Sequence, residues 1–136
     1  MPLLFIIYIN DIPETACFAK FILYADDPNI ILTASTMEAI DTQLKNLITN
    51  LEKWVKSNGL CLNLKKTKYM IFSRAHTSEL PSPLIIFNTA IERKNEARFL
   101  GVIIDESLNW SRHIQTILCK MSRYVGIMYK IKNTYL

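Results

Sequence analysis

The sequence predicts an α+β fold, and three patterns support that class. Two long segments, Met37–Val55 and Ile114–Met128, carry apolar residues at helical spacing. Short apolar runs rich in β-branched and aromatic residues lie between turn signals elsewhere, which is typical of antiparallel strands. The predicted elements follow one another as helix, hairpin, helix, strands and helix, rather than in the regular alternation of a parallel α/β sheet.

Length and composition exclude several classes of protein. The chain has 136 residues, of which 50% are hydrophobic and 21% charged, so it can form a core and is not a disordered tail. Its size suits one domain. The longest apolar run, Met1–Ile9, is shorter than the about 20 residues of a membrane-spanning helix, and no basic residue precedes it as in a signal peptide. We therefore expect no membrane partner and no secretion.

Cysteine and glycine usage narrow the chemistry further. Cys17, Cys61 and Cys119 are odd in number and far apart, and none forms a Cys-x-x-Cys pair, so neither a disulfide framework nor a zinc site is predicted. A reducing, intracellular compartment, cytoplasm or nucleus, is expected. The three glycines form neither a P-loop nor a Gly-x-Gly-x-x-Gly turn. Any phosphate chemistry must then use side chains and metal ions.

Charge is distributed unevenly along the chain. Residues 1–52 carry two basic and seven acidic side chains and residues 53–136 carry fourteen basic and five acidic ones, so the net charges are −5 and +9. A metal site next to a polyanion-binding surface requires such a distribution, since cations need carboxylates and phosphates need Lys and Arg. Ordinary surface charge explains the same numbers, and charge alone favours that simpler interpretation.

The first elements are a helix and a hairpin. Leu3–Ile9 is predicted to be helical and to end before Pro13, because proline disfavours helix at the residue that precedes it. Two mostly apolar runs within Phe18–Thr33 flank the turn-rich centre Asp26-Asp27-Pro28-Asn29. This arrangement indicates a β-hairpin whose tip carries two carboxylates.

A long helix follows the hairpin. A capping box formed by Ser35 and Glu38 begins it, because the hydroxyl and the carboxylate satisfy free backbone donors, and Asn58-Gly59 supplies a left-handed stop. Apolar residues spaced by three and four predict one buried stripe: Met37, Ile40, Leu44, Leu47, Ile48, Leu51, Trp54 and Val55.

The rest of the chain predicts short strands and a closing helix. Leu60–Leu64 and Tyr69–Ser73 are predicted strands around a lysine-rich turn, and Leu84–Asn88 and Arg98–Ile104 are two more, so the sheet is mostly antiparallel. In the closing helix the apolar residues share one face, which the spacing predicts to be part of the core: Ile114, Ile117, Leu118, Met121, Val125 and Met128.

Tyr24-Ala25-Asp26-Asp27 is the most informative segment for function. Two adjacent carboxylates at the tip of an otherwise apolar hairpin present hard oxygen ligands to one small volume, which suits Mg²⁺. Enzymes that join nucleotides hold two divalent ions about 4 Å apart with such ligands. A solvated Asp-Asp turn is the simpler explanation for the dipeptide alone.

Together with other segments, this motif resembles the reverse transcriptases of non-LTR, LINE- and jockey-like retrotransposons. Each block is weak alone, but they occur in the order of the family and cover almost the whole chain. The matching blocks are Pro2–Phe5 and Tyr8–Pro13 (end of motif B), Tyr24–Asp27 (motif C), Leu62-Asn63, Lys66-Thr67, Met70 and Phe72 (motif D), Phe99–Val102 with Asp105 (primer grip), and Trp110 with His113-Ile114 (start of the thumb).

The resemblance implies a role for each matched site residue. Asp26 is the indispensable metal ligand and Asp27 a secondary ligand or an orienting carboxylate, with Mg²⁺ or Mn²⁺ as the cofactor. Tyr24 packs near the primer terminus. Lys66 lies near the triphosphate, although a plain basic turn explains it equally well. Phe99–Gly101 form the primer grip, for which a buried strand with one bulge is the alternative.

The resemblance also implies a fold, an activity and partners. The fold is a partial polymerase palm over residues 1–106 followed by the start of a thumb helix over residues 107–136. The intact enzyme copies an RNA template onto a DNA primer with deoxynucleoside triphosphates. Since no stretch before Tyr24 matches motif A, which supplies a further aspartate, we expect a truncated copy that is inactive alone.

A different class of function stays open from the sequence. A non-enzymatic nucleic-acid-binding remnant would need basic side chains and not Asp26. Its affinity would fall steeply with salt, because each neutralised phosphate releases counterions. The candidate phosphate contacts are Lys65, Lys66, Lys68, Arg112, Lys120 and Arg123. A scaffold domain without any nucleic-acid role is a third and weaker alternative.

Overall fold

The computed structural model describes residues 2–25, 27–73 and 79–135. In this part of the chain three α-helices, one 3-10 helix and eight short strands follow one another. In chain order they are α1 (Pro2–Tyr8), the 3-10 helix (Ile12–Thr15), β1 (Lys20–Tyr24), β2 (Asp27–Ile31), α2 (Met37–Ser57), β3 (Lys68–Tyr69), β4 (Ile85–Ile86), β5 (Thr89–Ala90), β6 (Glu92–Arg93), β7 (Glu96–Phe99), β8 (Val102–Asp105) and α3 (Ser111–Tyr135). No helix in the described ranges is long and apolar enough to cross a membrane.

The strands pair two by two instead of forming one sheet. The pairs are β1 with β2, β3 with β6, β4 with β5 and β7 with β8. Three of them, β1–β2, β4–β5 and β7–β8, are antiparallel hairpins with two-residue loops. In each loop the first residue has a positive φ: 50° at Ala25, 46° at Phe87 and 46° at Leu100. Such loops match the right-handed twist of the strands they join.

Leu60–Leu64 differs from the prediction, because it forms no strand. Asn63 turns the backbone there: its carbonyl oxygen accepts the N–H groups of Lys66 and Thr67, both at 3.0 Å. The Thr67 hydroxyl donates to the same carbonyl at 3.0 Å. An asparagine that bonds its own backbone neighbours favours a turn over a strand ladder.

Helix α2 supplies the apolar face of the main core. Its buried residues Leu47, Leu51 and Val55 lie on the predicted stripe. The cap differs by one residue from the prediction, because the backbone of Thr36 is extended and its side chain accepts the N–H of Ala39 at 3.2 Å. Around this stripe the other buried apolar side chains are Ile9, Ile12, Ala16, Ile86 and Ile91.

The chain divides into two compact units, each described here by itself. One comprises Met1–Tyr69 and Thr77–Glu92, and the other Met70–His76 and Arg93–Leu136. In the second unit β8 packs on α3, and Arg93 forms a 3.1 Å ion pair with Glu106. The β7–β8 hairpin is therefore structurally continuous with α3. The division into a palm portion, residues 1–106, and a thumb portion, residues 107–136, stays a prediction.

Helix α3 also departs from the prediction. The apolar face that its spacing assigns to a core is exposed, from 41% at Ile117 to 70% at Met128. His113 and Thr116 are the half-buried side chains in the described part of α3, and His113 accepts the N–H of Ile103 in β8. They lie beside the apolar face and not within it. Periodicity therefore identified the apolar face correctly, but the described part of the second unit does not cover it.

Candidate catalytic turn and nucleic-acid contacts

The β1–β2 hairpin places the aspartate motif at an exposed tip. Tyr24 pairs with Asp27, so only two residues separate the paired ends, and Ala25 is the first of them. The positive φ of Ala25, 50°, is the conformation that such a loop needs at its first position. For a residue with a Cβ this conformation costs roughly 1–2 kcal/mol. The strand pairing on both sides of the loop offsets that cost.

Asp27 is exposed at this tip and Tyr24 is 60% exposed. The backbone carbonyl of Asp27 accepts the Asn29 amide at 3.0 Å. Within the described ranges its carboxylate takes part in no hydrogen bond or ion pair, so both oxygens are available to a hard cation. Asp26, the other predicted metal ligand, lies outside the described residues. In the part that is described, no three acidic, histidine or cysteine side chains gather as a metal site.

Pro28 fits the hairpin because of its register. It pairs with Leu23, one position beyond the pair that closes the two-residue loop. Hydrogen-bonded and non-hydrogen-bonded pairs alternate along an antiparallel ladder, and the pair next to the closing pair is non-hydrogen-bonded. The missing N–H of Pro28 therefore belongs to the outer edge of β2, and the pairing with β1 loses nothing.

Lys66 lies in the turn that Asn63 organises. Its backbone N–H donates to both oxygens of Asn63, and its side chain is exposed like that of Lys65. No hydrogen bond or ion pair joins Lys66 to Asp27 in the described part of the chain. Lys68 differs from its neighbours, because its ammonium group lies 3.7 Å from a carboxylate oxygen of Glu92. Of the three lysines, Lys65 and Lys66 are therefore the more available to an anion.

The predicted primer-grip residues form a tight turn and not the middle of one strand. Phe99 ends β7 and pairs with Val102, and Leu100 and Gly101 form the loop with φ values of 46° and 89°. Leu100 is 53% exposed and Phe99 is half-buried. The single strand expected over Arg98–Ile104 is wrong here, because a continuous apolar run hides a two-residue turn.

A glycine at this turn leaves its surroundings open. A Cβ added at Gly101 would meet no heavy atom within 4 Å, so the backbone can be approached closely. The φ of 89° at Gly101 is the more immediate reason for a glycine at this position, because a residue with a Cβ is strained in that conformation. Tyr24, Asp27 and Lys66 belong to the first compact unit, and Phe99–Gly101 belong to the second.

A loop anchored by Asp105 connects this turn to α3. One carboxylate oxygen of Asp105 accepts the N–H groups of Ser107 and Asn109 at 3.0 and 3.2 Å, and the other accepts that of Trp110 at 3.1 Å. His113 then accepts the N–H of Ile103 at 3.3 Å through Nδ1. The loop residues Ser107 and Asn109, which favour turns, were the only signal of this arrangement.

In the first unit, two side chains of α2 contact Phe87, and no sequence pattern predicted these contacts. A carboxylate oxygen of Glu52 on α2 accepts the backbone N–H of Phe87 at 2.6 Å. One turn further along the helix, the ammonium group of Lys56 lies 5.4 Å from the centre of the Phe87 ring. These two contacts fix the β4–β5 turn, in which Phe87 and Asn88 both have positive φ.

Comparison with known proteins identifies the family. Residues 1–104 match the family described as reverse transcriptase (RNA-dependent DNA polymerase). The chain is 23% identical over 132 residues to a probable RNA-directed DNA polymerase from transposon X-element of Drosophila melanogaster, covering 94% of this chain and 14% of that protein. It is 25% identical over 111 residues to a retrovirus-related Pol polyprotein from the type-1 retrotransposable element R1 of Bradysia coprophila, covering 81% and 11%.

A third relative belongs to the same group. It is the RNA-directed DNA polymerase from mobile element jockey of Drosophila melanogaster, 25% identical over 95 residues, which are 69% of this chain and 10% of that protein. The chain thus spans a small part of the length of the relatives it matches. No solved structure matches it. The chain belongs to the reverse transcriptase family, in the group carried by LINE- and jockey-type non-LTR retrotransposons.

Proposed function

We propose that this chain is the part of a retrotransposon reverse transcriptase that carries the catalytic Asp26-Asp27 turn and the primer grip. The exposed carboxylate of Asp27 at the tip of a two-residue hairpin loop is the observation that carries this proposal. It supplies hard oxygen atoms, which suit a divalent ion, on the residue that follows Asp26 in the chain. The intact enzyme copies RNA into DNA from nucleotide substrates.

The residues of this chain contribute binding and positioning to that reaction. Asp26 and Asp27 hold Mg²⁺ or Mn²⁺, which when bound activates the attacking 3′-hydroxyl and neutralises the triphosphate. Tyr24 presents an exposed ring beside the tip, where it can pack against the primer end. Lys66 offers an exposed ammonium group that offsets negative charge on the leaving pyrophosphate.

The same proposal includes a fold, in which the chain forms part of a polymerase palm. The hairpin that carries the aspartates and the helix α2 that follows it provide one strand pair and one packed helix of such a domain. Residues 1–106 are the palm portion and residues 107–136 begin the thumb. The β7–β8 turn presents the open backbone of Gly101, which suits a primer grip.

Two divalent ions need more oxygen ligands than two aspartates provide. The acidic residues that precede the hairpin, Asp11 and Glu14, lie at the start of the 3-10 helix and not on a strand beside β1. A further carboxylate must come from another part of the enzyme. We therefore propose that the 136-residue chain alone does not support DNA synthesis.

The experiment is a domain exchange. Residues 1–104 of this chain replace the matching segment of an active related enzyme, and primer extension is measured on an RNA template with Mg²⁺. We expect incorporation by the exchange protein and a loss of at least about 1000-fold with Asp26→Asn, since a metal ligand is removed. Asp11→Asn is the matched control and leaves the rate unchanged.

Two outcomes of this experiment contradict the proposal. The catalytic assignment fails if Asp26→Asn leaves incorporation unchanged. The proposal of inactivity fails if the 136-residue chain alone extends primers and Asp26→Asn abolishes that extension. Both assays are run with Mn²⁺ as well as Mg²⁺, so that a preference for one ion is not mistaken for inactivity.

A nucleic-acid-binding remnant without catalysis is the second candidate function. The exposed side chains of Lys65 and Lys66, in a segment with a net charge of +9, favour it. Binding of a labelled RNA–DNA duplex by the 136-residue chain distinguishes the two candidates. The binding remnant requires affinity that falls steeply with salt and is not weakened by Asp26→Asn. Absence of binding at low salt rules it out.

A further inference from the structure

The exposed apolar face of α3 follows a coiled-coil pattern. Six residues occupy successive a and d positions of a seven-residue repeat, and all are apolar and between 41% and 70% exposed. The a positions hold Ile114, Met121 and Met128, and the d positions hold Ile117, Tyr124 and Ile131. A repeat of seven residues favours a second helix as the partner, because it keeps one seam facing that helix along the whole length.

The apolar area on α3 is large enough for an interface. Three more exposed apolar side chains flank the seam at e and g positions, at Leu118, Val125 and Ile127. Taking about 150 Å² for each of these nine large side chains, their exposed fractions provide roughly 750 Å² of area. That is close to the roughly 800 Å² which each partner buries in an interface of standard size.

The charges of α3 permit pairing with an identical helix. Residues 111–135 contain five basic and no acidic residues. Arg112, Arg123 and Lys130 lie on the side of α3 opposite the seam, away from a helix that packs on the seam. Lys120 and Lys132 flank the seam at g and e positions. In a parallel pair each faces an apolar residue of the other helix, Val125 or Ile127, and not another lysine.

We propose that α3 is a dimerisation helix, whose apolar seam pairs in parallel with α3 of a second copy of this chain. The β7–β8 hairpin meets α3 at its first turn, where His113 at a g position accepts the N–H of Ile103, and residues 117–132 are exposed and open to a partner helix. The two hairpins would then lie at the same end of the helix pair. This proposal does not depend on the catalytic role of Asp26.

The test is the mass of the 136-residue chain in solution. Light scattering and sedimentation are expected to give a dimer at micromolar concentration, and Met121→Glu is expected to raise the dissociation constant at least about tenfold, because a charge enters the seam. Cys119→Glu is the control, since it adds the same charge on the opposite side of α3. Circular dichroism checks that both variants keep their helices, and Met128→Glu replaces Met121→Glu if the latter unfolds.

A cross-link then tests the orientation of the two helices. In a background with Ser at positions 17, 61 and 119, Met121→Cys is expected to form a disulfide between two copies, because a positions face each other in a parallel pair. Ser122→Cys, one residue away and off the seam, is expected to form none. A monomer at all concentrations, or a dimer that Met121→Glu does not weaken, overturns the proposal. If Ser122→Cys forms the disulfide and Met121→Cys does not, the proposed seam is wrong.

Discussion

The carboxylate of Asp105, at the end of β8, accepts the backbone N–H of Trp110, which directly precedes α3, at 3.1 Å. Trp110 has a φ of 63°, and its carbonyl oxygen accepts the N–H of Ile114 at 2.9 Å. One side chain therefore holds the strained residue from which the helix begins. The β7–β8 hairpin and α3 are joined through this bond and through the His113–Ile103 contact.

Removal of the Asp105 carboxylate should loosen this junction. We expect Asp105→Ala to lower the free energy of unfolding by about 1–2 kcal/mol, because three backbone N–H groups lose a charged acceptor at a partly exposed site. Urea unfolding followed by tryptophan fluorescence measures it, since Trp110 lies in the loop. Asp11→Ala is the control, because Asp11 makes no side-chain cap bond. Equal effects of the two changes would contradict this role.

Alanine substitutions at Gly101, in the β7–β8 turn, and at Gly126, inside α3, should change stability in opposite directions. Gly101→Ala should destabilise the protein by about 1 kcal/mol, because its φ of 89° strains any residue with a Cβ. Gly126→Ala, in the interior of α3 with nothing within 4 Å of the added Cβ, should stabilise it by about 0.5–1 kcal/mol. Thermal unfolding of both variants checks the difference in sign. A stabilising Gly101→Ala would mean that the turn has another geometry.

The bond between Glu52 and Phe87 should matter for the β4–β5 hairpin. Glu52→Ala is expected to cost about 1–2 kcal/mol, since the N–H of Phe87 loses a charged acceptor at a part-buried site. Glu52→Gln keeps an acceptor oxygen and should retain most of the stability. Urea unfolding of the two variants measures the difference, and hydrogen exchange at the Phe87 amide locates it. Similar losses in both would show that charge, and not this bond, is responsible.

Protonation of Asp41 should lower the free energy of unfolding at acidic pH. Hydrogen bonds from Lys45 and then from Ser82 hold the pKa of the Asp41 carboxyl below its ordinary value of 3.8. A lowered pKa means that the folded state prefers the ionised form. The resulting stability is complete well above pH 4 and is lost as the pH falls through the lower pKa of the folded state.

Urea unfolding at pH 7 and pH 3 tests this dependence. Wild type should exceed Asp41→Asn in stability at pH 7, and the gap should narrow at pH 3, where the carboxyl begins to accept a proton. Glu38→Gln serves as the control, because Glu38 is exposed on the same helix and its carboxylate has no ion pair in the described ranges. A gap that is the same at both pH values would exclude the proposed linkage.

Lys66 should affect catalysis without affecting stability. In the exchange protein, Lys66→Gln is expected to lower kcat by roughly 10–100-fold, because charge on the leaving pyrophosphate is no longer offset. Lys65→Gln removes the same charge from the neighbouring residue, and its kcat should stay within about twofold of the unmutated exchange protein. Single-turnover primer extension measures both. Equal losses in the two variants would indicate a general electrostatic effect of the turn.

Local patterns predicted several elements because each depends on neighbouring residues. The stripe from Met37 to Val55 predicted α2, and Leu47, Leu51 and Val55 are buried on it. The two apolar runs around Asp26-Asp27 predicted a hairpin, and strands occur at Lys20–Tyr24 and Asp27–Ile31. The ordered motifs also identified the family, which the comparisons confirm.

Other features escaped prediction because no local pattern encodes them. Phe87 and Leu100 adopt positive φ, for which their residue types give no signal. Two turns therefore went unnoticed, one within each of the predicted strands Leu84–Asn88 and Arg98–Ile104. The Glu52–Phe87 bond joins residues 35 positions apart. Similarly, periodicity placed the apolar residues of α3 on one face but could not say what covers it.

The sequence by itself determined which segments are helical, where the aspartate turn lies and to which family the chain belongs, because short-range spacing and residue type carry that information. Only the tertiary structure decided the pairing of Tyr24 with Asp27, the turn at Leu100-Gly101 and the exposure of the α3 seam. The two turns depend on the backbone conformation and register that the folded strands adopt, and residue type alone does not specify these. The exposure of the seam depends on which distant groups meet and on how much area they cover, so it is a property of the folded chain and not of one segment.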